Sequence, residues 1–368
     1  MRNKRTKVFG FLLLGIRFST LIKLVFKYGL GLNPVYILRF LILLPTSLLV
    51  EVFILIEKIK YGKKIRQTTV EKPPVFIIGH WRSGTTFLHQ LIFLDKQFTA
   101  PTFVQVITPE HFLCSTKYWV PILDKTVPPR RPMDEVDIRP LDPMEDEWAL
   151  LRLGVSTPLL KVFFPSSKTK FISGTEEFIP TGKNLEKWEK SFLKLLKKIT
   201  YRTQKQIVLK NPFHTPRISL LKEMFPGAKF IHIVRHPYKI VPSAINMWNI
   251  VSRENAFKSG WEEPTTDETA LLVDKFWRSV NENKSNLAGD QFAEIRYEYL
   301  EKDPVKELKR IYIELGFIFS DDHEKRINQF IEEKKNYRKN VFDLSEEQKK
   351  AINKRLESYM KCYSYVEQ

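Results

Sequence analysis

The chain of 368 residues is 43% hydrophobic and 13% aromatic, which provides enough apolar material for a large core and excludes a wholly disordered protein. Its two cysteines, Cys114 and Cys362, lie far apart and form neither a disulfide framework nor a CxxC metal site. The formal net charge is +18, but residues 1–66 hold thirteen Lys/Arg and two Glu, so +11 of it lies at this end. Because these basic residues are mixed with apolar ones instead of covering a folded module, we do not expect a nucleic-acid partner.

Residues 1–64 combine positive charge with apolar runs. After Asn33-Pro34, the longest uncharged run covers residues 40–50, which is shorter than the roughly 18–20 residues that span a bilayer, and it contains Pro45. Basic residues flank both sides, so the positive-inside rule defines no single orientation. We therefore expect a membrane-associating helical segment at the cytoplasmic face, whose helices lie in the interface or dip into it and return. The alternative, a soluble helical cap on the domain, would be expected to show a polar face.

A strand, a glycine turn and a helix are predicted in succession within residues 73–92, PPVFIIGHWRSGTTFLHQLI. Residues 75–78 form a short apolar run that is typical of a strand buried on both faces. A turn with two glycines occupies residues 79–84, and Thr85 or Thr86 can cap the helix that follows. The N-terminus of that helix directs unpaired backbone N–H groups and the positive end of its dipole at the turn. The arrangement therefore predicts an anion-binding loop.

Two residues of the turn distinguish between kinds of phosphate loop. Arg82 adds a permanent positive charge, and its planar fork of N–H donors suits phosphate. Gly79 and Gly84 have the spacing of a nucleoside-triphosphate P-loop, GxxxxGK[ST], but Thr85 stands where that pattern requires lysine. The missing lysine disfavours a small-molecule kinase that uses ATP, which we retain as an alternative.

The middle of the chain predicts two regular elements separated by a long loop. Residues 103–107 predict a second strand. Residues 127–143 contain five prolines, so we expect an irregular loop of the kind that often carries function. Residues 145–147 are an acidic helix start, whose carboxylates either compensate the helix dipole or provide a general base. Residues 184–200 have apolar positions at helical spacing opposite lysines and glutamates, which predicts an amphipathic helix over the core.

A second strand–helix–strand unit follows. Residues 207–209 predict a strand that ends at Lys210, residues 217–224 a helix, and residues 229–234 a strand that ends at Arg235. So short a unit implies a right-handed parallel crossover, and ligands bind at the carboxyl ends of strands in such sheets. We therefore expect the glycine loop and both cations at one edge of the sheet.

Several stretches resemble sulfotransferases that use 3′-phosphoadenosine-5′-phosphosulfate (PAPS). HWRSGTTFLHQL, residues 80–91, is similar to their 5′-phosphosulfate-binding loop, in the arginine-containing form of the tyrosylprotein and bacterial branch. FIHIVRHPYKIVPSAINMW, residues 230–248, is similar to their 3′-phosphate-binding segment, with Arg235 and Ser243 at the required spacing. IRYEYL, residues 295–300, looks like the family's RYEDL strand.

The resemblance implies a set of donor-binding residues and a set of catalytic residues. Lys210, in LKNP, matches the lysine that approaches the sulfuryl group and the leaving phosphate oxygen. Catalysis would involve Arg82 and Lys210, together with a general base. The residues implied to bind the donor are Arg82, Ser83, Gly84, Thr85, Thr86, Phe87, Arg235, Ser243 and Tyr297.

The general base stays open at this point. Relatives use a Glu or a His, but this chain has no acid shortly after the first helix of the domain, where tyrosylprotein enzymes hold theirs. Met247 also stands where those enzymes show a further arginine. Residues 336–340, NYRKN, either close over the 3′-phosphate or form a solvated charge run. The candidates for the base are Glu145, Glu147, His89 and His214.

These inferences predict one α/β domain, residues 65–368, of the P-loop-type three-layer kind with a central parallel sheet. It is preceded by the hydrophobic, basic helical segment of residues 1–64. The resemblance implies sulfuryl transfer from PAPS to a hydroxyl, which releases adenosine 3′,5′-bisphosphate and needs no metal. The membrane segment favours a lipid or lipid-linked acceptor, such as a glycolipid, a sterol-like alcohol or a quinol. Besides the kinase, the second alternative is a non-catalytic membrane-surface protein with a degenerate nucleotide pocket.

Overall fold

The computed structural model describes residues 13–134, 136–166, 175–335 and 340–365. Its centre is a sheet of five parallel strands in the order β2-β3-β1-β4-β5. The strands are β1 (Val75–Ile78), β2 (Phe98–Thr99), β3 (Gln206–Lys210), β4 (Lys229–Val234) and β5 (Phe292–Arg296). The helices are α1 (Phe18–Tyr28), α2 (Pro34–Gln67), α3 (Thr85–Phe93), α4 (Phe103–Ile107), α5 (Phe112–Thr126), α6 (Glu147–Arg152), α7 (Leu160–Phe163), α8 (Gly182–Thr203), α9 (Ile218–Met224), α10 (Pro237–Asn255), α11 (Thr266–Lys284), α12 (Tyr297–Lys302), α13 (Pro304–Glu314), α14 (Asp321–Glu333) and α15 (Glu346–Cys362).

The sheet is covered by helices on both faces. Along the strands the side chains alternate between two apolar cores. Phe76 and Leu209 lie in the core that α8 and α11 close, and Ile77 and Val208 lie in the core that α3 and α13 close. This burial on both faces explains why the strands are continuously apolar instead of alternating. The predicted three-layer α/β fold with a central parallel sheet is confirmed.

The register of the strands brings their carboxyl ends to one edge. Ile77 pairs with Lys210 across β1 and β3, and Val234 pairs with Arg296 across β4 and β5. The strands predicted to end at Lys210 and just before Arg235 therefore end where expected. Four of the five strands lead directly into the loops and helices that carry the candidate site residues.

The strand predicted at residues 103–107 is wrong, because this segment is helix α4. All five of its residues are buried, so its apolar character gave no amphipathic pattern. Thr102 is the N-cap of this helix, and the Gln105 side-chain oxygen accepts a hydrogen bond from the Thr102 backbone N–H at 3.0 Å. The edge strand of the sheet is β2, a few residues earlier.

Two further local predictions need correction. The strand expected at residues 295–300 ends at Arg296, and helix α12 begins at Tyr297. Helix α3 begins at Thr85, but its N-cap is Gly84, not a threonine. Because glycine has no side chain, the N-cap residue provides no acceptor for the N–H groups of the first turn, which are left to bind an anion.

The loop and helices expected in the middle of the chain are present. Residues 127–146 connect α5 to α6 and, where described, show no helix or named strand. Isolated bridges pair Arg130 with Asp137 and Thr102 with Pro143. Helix α6 begins at Glu147, as the acidic start predicted, and α8 covers the predicted amphipathic helix.

Helix α2 has an unusual distribution of polarity. It runs through Pro45 and packs on α5 and α8. Its buried stripe contains three polar or charged side chains, Arg39, Ser47 and Glu57, between apolar ones such as Leu43 and Val50. Its outward stripe is apolar and is 51–75% exposed, and it consists of Leu41, Leu48, Val52, Leu55 and Ile59. The helix therefore turns an apolar stripe away from the protein, while Arg39, Ser47 and Glu57 face inward.

Two buried charges hold α2 on the rest of the protein. The Arg39 guanidinium donates to the carbonyl oxygens of Ala256 and, at 3.0 Å, Arg253 at the end of α10. The Glu57 carboxylate is paired with the Lys198 ammonium of α8, and both side chains are almost fully buried. The predicted boundary at residues 64 and 65 falls inside α2, and the division of the chain there stays a prediction.

Removal of Glu57 alone is expected to be strongly destabilising. The substitution Glu57→Ala leaves the Lys198 ammonium buried without its counter-charge, which lowers the free energy of unfolding by about 3–5 kcal/mol. The double substitution Glu57→Leu/Lys198→Met is expected to lower it much less, because no unpaired charge remains. Urea unfolding of the detergent-solubilised protein measures both, and equal losses would contradict this account.

Candidate active site

The glycine loop after β1 has the backbone of an anion-binding turn. Gly79, Arg82 and Gly84 all have positive φ angles, of 136°, 72° and 104°. The loop is closed internally, because the Ser83 hydroxyl donates to the His80 carbonyl oxygen at 2.7 Å. The loop leads into the N-terminus of α3, so the helix dipole is directed at it.

Gly84 is required by an aromatic neighbour as well as by its φ angle. A Cβ atom at Gly84 would lie 2.1 Å from the Tyr297 ring. The same ring lies beneath the Arg235 guanidinium, 4.2 Å from its centroid, and 6.4 Å from the Phe87 ring. The structure thus brings Phe87, Arg235 and Tyr297 together beside the loop, from α3, the end of β4 and the start of α12.

Arg235 is held by the backbone of the loop and by the C-terminal helix. Its Nη1 donates to the Arg82 carbonyl oxygen at 3.0 Å. The Tyr359 hydroxyl accepts the Arg235 backbone N–H at 3.1 Å and donates to the Arg235 carbonyl oxygen at 2.9 Å. Tyr359 of α15 was not predicted, and nothing in its sequence context identifies it.

Arg82 is held by two partners. Its Nε donates to the Ser243 hydroxyl oxygen of α10 at 2.8 Å, and its Nη1 is paired with the Asp134 carboxylate. Asp134 also accepts from Arg131 Nε at 3.0 Å. Burial alone would raise the pKa of Asp134, but Arg131 and Arg82 outweigh it and lower the pKa to about 2. Asp134 and Arg131 lie in the loop predicted to be functional, but neither was predicted individually.

Lys210 forms the second cationic point of the site. Its side chain is almost fully buried, paired with Glu145, with Nζ 3.3 Å from the Thr86 hydroxyl oxygen. Burial lowers the pKa of Lys210, and the Glu145 carboxylate offsets part of that change. Lys210 therefore connects the end of β3 with the first turn of α3 and with the loop before α6.

The other three candidates for the general base lie inside the protein. Glu147 is fully buried and accepts two hydrogen bonds from Arg217, at 2.7 and 3.1 Å. His214 Nε2 lies 2.9 Å from Asp146 Oδ2, and both side chains are fully buried. His89 lies on the buried side of α3, where burial lowers its pKa to about 3. Only Glu145, of the four candidates, contacts Lys210 directly.

The remaining predicted features are distributed as follows. Of NYRKN, residues 336–339 lie outside the described residues, and the Asn340 side chain donates to the Met133 carbonyl oxygen at 2.8 Å. Within the described ranges, no three His, Cys, Asp or Glu side chains are grouped so that they could hold a metal ion. The site is therefore built from cations and backbone N–H groups around a glycine loop.

An α/β protein with such a loop and two fixed cations at the carboxyl edge of its sheet is equipped to bind a phosphorylated or sulfated nucleotide. The chain belongs to the sulfotransferase family, whose model matches residues 73–321. The omega-hydroxy-beta-dihydromenaquinone-9 sulfotransferases Stf3 of Mycobacterium bovis and Mycobacterium tuberculosis are 32% identical to it over 313 residues, which is 84% of this chain and 79% of theirs. The predicted family is confirmed.

Solved structures agree on the fold. Sulfotransferase STF9 from Mycobacterium avium has a TM-score of 0.68 at 16% identity, covering 96% of this chain and 98% of that one. Sulfotransferase STF1 from Mycobacterium tuberculosis H37Rv has a TM-score of 0.58 at 16% identity, covering 90% of each chain. At this level of identity the likeness shows a shared fold.

Proposed function

We propose that this sulfotransferase transfers the sulfuryl group of PAPS to the hydroxyl of a lipid acceptor at the membrane surface. The observation that carries the proposal is the convergence of Arg82, Lys210 and Arg235 on the glycine loop at the carboxyl edge of the sheet. In the reaction the bond between sulfur and the 5′-phosphate oxygen breaks, and a bond between sulfur and the acceptor oxygen forms. The acceptor proton passes to a base, and adenosine 3′,5′-bisphosphate leaves.

The residues present fit a donor with two anionic ends. The loop and Arg82 would hold the 5′-phosphosulfate, whose charge matches the N-terminus of α3. Arg235 would bind the 3′-phosphate, with Ser243 donating its hydroxyl proton, since that oxygen already accepts from Arg82. Phe87 and Tyr297 offer ring faces for the adenine. The full proposed donor-binding set is Arg82, Ser83, Gly84, Thr85, Thr86, Phe87, Arg235, Ser243 and Tyr297.

We assign the general base to Glu145 among the four candidates. Glu147 and His214 are fully buried, and His89 nearly so, which separates them from an incoming hydroxyl. Glu145 is partly exposed, at 14%, and is paired with Lys210. In the proposal Glu145 accepts the acceptor proton, while Lys210 stabilises the charge that develops on the leaving phosphate oxygen.

A cavity beside the loop of residues 127–146 is the proposed place for part of the acceptor. It measures about 180 Å³ and lies between α4, α5 and residues 127–140 of that loop. A cavity of about 150 Å³ can hold a benzene molecule, so this one has room for a ring or a short branched part of a lipid. Stf3, by its name, sulfates a hydroxylated menaquinone. The proposed acceptor is accordingly an isoprenoid or similarly branched lipid alcohol. The cavity is lined by Phe103, Leu123, Asp124, Val127, Pro129, Asp137, Ile138, Arg139 and Pro140.

The geometry of α2 supports a helix that lies in the membrane surface. It is the one described helix that is long and apolar enough to cross a bilayer. However, Arg39 and Glu57 hold it on the protein at points roughly 27 Å apart along its axis, which is about the thickness of the hydrocarbon core. Crossing the membrane would carry the attached domain into the lipid. The outward apolar stripe instead suits an in-plane helix, whose flanking Lys and Arg meet anionic lipid at the cytoplasmic face.

Nucleotide binding tests the donor. Calorimetry on the detergent-solubilised protein is expected to show micromolar binding of adenosine 3′,5′-bisphosphate without metal. Arg235→Ala is expected to abolish it, because the guanidinium binds the 3′-phosphate. Arg202→Ala, an exposed arginine at the end of α8, is the matched control and is expected to bind normally. Preferential binding of ATP with magnesium would favour the alternative of a small-molecule kinase. Binding of the bisphosphate without sulfuryl transfer would favour the non-catalytic alternative.

Turnover tests the catalytic residues. Lys210→Ala and Arg82→Ala are each expected to nearly abolish sulfuryl transfer to a hydroxylated isoprenoid quinone, measured with PAPS that is radiolabelled in its sulfuryl group. Glu145→Gln is expected to lower kcat by about 10²–10⁴-fold, because the amide cannot accept the proton. The exposed Glu262→Gln serves as control. A Glu145→Gln enzyme with normal kcat would remove Glu145 as the base.

Vesicle binding tests the in-plane helix. Leu48→Ser/Leu55→Ser is expected to weaken co-sedimentation with phosphatidylglycerol vesicles by at least about tenfold, because each buried leucine contributes about 1.5–3 kcal/mol. Ile313→Ser, a 78% exposed isoleucine on α13, is the control and is expected to bind like the wild type. An equal effect of the control would mean that general hydrophobicity, not the α2 stripe, binds the membrane.

The same vesicles distinguish an in-plane helix from a spanning one. In a background with both native cysteines replaced by serine, Leu32→Cys lies just before α2 and Gln67→Cys lies at its last residue. An impermeant maleimide is expected to label both from outside the vesicle. Labelling of one position only would show that α2 crosses the bilayer.

A further inference from the structure

The Arg82 guanidinium is fixed at two of its three nitrogens. Nε donates to Ser243 and Nη1 is paired with Asp134, whereas Nη2 has no hydrogen-bond partner within the described residues. The side chain is 16% exposed, so one end of the guanidinium remains accessible. A planar guanidinium that is held at two of its nitrogens has little freedom to rotate, so the direction of the third nitrogen, Nη2, is fixed.

Asp134 is itself held firmly. It is 3% exposed, and Arg131 approaches both of its oxygens, with Nε on Oδ1 at 3.0 Å and Nη2 on Oδ2. The backbone on either side adds support, since the Arg131 N–H donates to the Val136 carbonyl oxygen at 2.8 Å. A bidentate pair of this kind adds directional restraint as well as energy.

The charges of this group leave Arg82 able to attract an anion. A carboxylate paired with Arg82 alone would neutralise it. Because Arg131 shares the same carboxylate, the group of two guanidinium ions and one carboxylate has a net charge of +1. Arg131 thus offsets the carboxylate, and the positive charge of Arg82 remains available.

We propose that Asp134 is a positioning residue, which together with Ser243 orients Arg82 so that its Nη2 end faces the 5′-phosphosulfate of the donor, and that Arg131 supplies the charge that keeps this end attractive to an anion. The inference rests on the proposed function, and it adds two residues that neither the motifs nor the family resemblance identifies. Asp134 and the donor bind different nitrogens of one guanidinium, so both contacts can exist together.

The competing account is that Asp134 excludes the donor from Arg82. Two substitutions separate the accounts when kcat and KM for PAPS are measured with circular dichroism and melting temperature on the same samples. Positioning predicts that Asp134→Ala lowers kcat on the order of 100-fold with the fold intact, because Arg82 is displaced. It also predicts a much smaller decrease in kcat for Asp134→Asn, since the amide oxygen still accepts a hydrogen bond from Arg82. Tighter PAPS binding by Asp134→Ala with undiminished kcat would overturn the proposal. An equal decrease in kcat in Asp134→Ala and Asp134→Asn would also overturn it.

The charge argument has its own test. Arg131→Gln makes the group neutral and is expected to raise KM for PAPS. Adding Asp134→Asn to it restores the net charge of +1 and is expected to recover much of the affinity. The neighbouring Arg130→Gln, whose side chain is 64% exposed and paired with Asp137, removes the same charge from the protein and is expected to leave KM unchanged. Equal effects at positions 130 and 131, or no recovery in the double variant, would contradict the proposal.

Binding of adenosine 3′,5′-bisphosphate by the wild-type protein separates this inference from the proposed function. Calorimetric binding that Arg235→Ala abolishes, combined with normal turnover in Asp134→Ala, would overturn the positioning role alone. A wild-type protein that fails to bind the bisphosphate would overturn both. Wild-type binding with the pattern expected for Asp134 and Arg131 supports both.

Discussion

The parallel register of the sheet is the constraint on which the site depends. It places the carboxyl ends of β1, β3, β4 and β5 at one edge, and each strand is followed within a few residues by a side chain of the site. Parallel strands buried on both faces hold this register because a slip of one residue would turn every side chain to the wrong core. The positions of Lys210 and Arg235 relative to the glycine loop are therefore set by the apolar packing beneath them.

Charged residues are buried in two different settings in this protein. In α2 they attach a helix to the domain, since Arg39 and Glu57 face inward while the apolar side faces outward. At the loop they hold the cations of the candidate site in place, since Asp134 contacts Arg82 and Glu145 contacts Lys210. In both settings a buried charge is paired, as its desolvation requires. The protein uses these pairs for orientation, where an apolar contact would be less directional.

The sequence predicted the elements whose pattern is local and missed the contacts that are not. Strands β1, β3 and β4 contain apolar runs that stop at a glycine or a cation, so their ends could be predicted to within a residue. Residues 103–107 were assigned wrongly because a short, fully buried segment shows no period. The pairing of Arg82 with Asp134 joins residues 52 apart, and that with Ser243 joins residues 161 apart. Such contacts depend on the folded arrangement of the loop and α10. The spacing of Arg235 and Ser243 suggested a shared phosphate, but not that Ser243 also contacts Arg82.

The contact between Tyr359 and Arg235 has a consequence for how the enzyme is made. The hydroxyl of Tyr359 bonds both the backbone N–H and the carbonyl oxygen of Arg235, across 124 residues of chain. Because the ribosome adds α15 after every strand of the sheet, the 3′-phosphate end of the proposed site is completed last. A chain that ends before α15 lacks the contact that fixes Arg235. Removal of this one helix would also take Ile352, Leu356 and Met360 out of the core that they form with α10 and α11, so the 3′-phosphate end of the proposed site and the packing behind it are lost together.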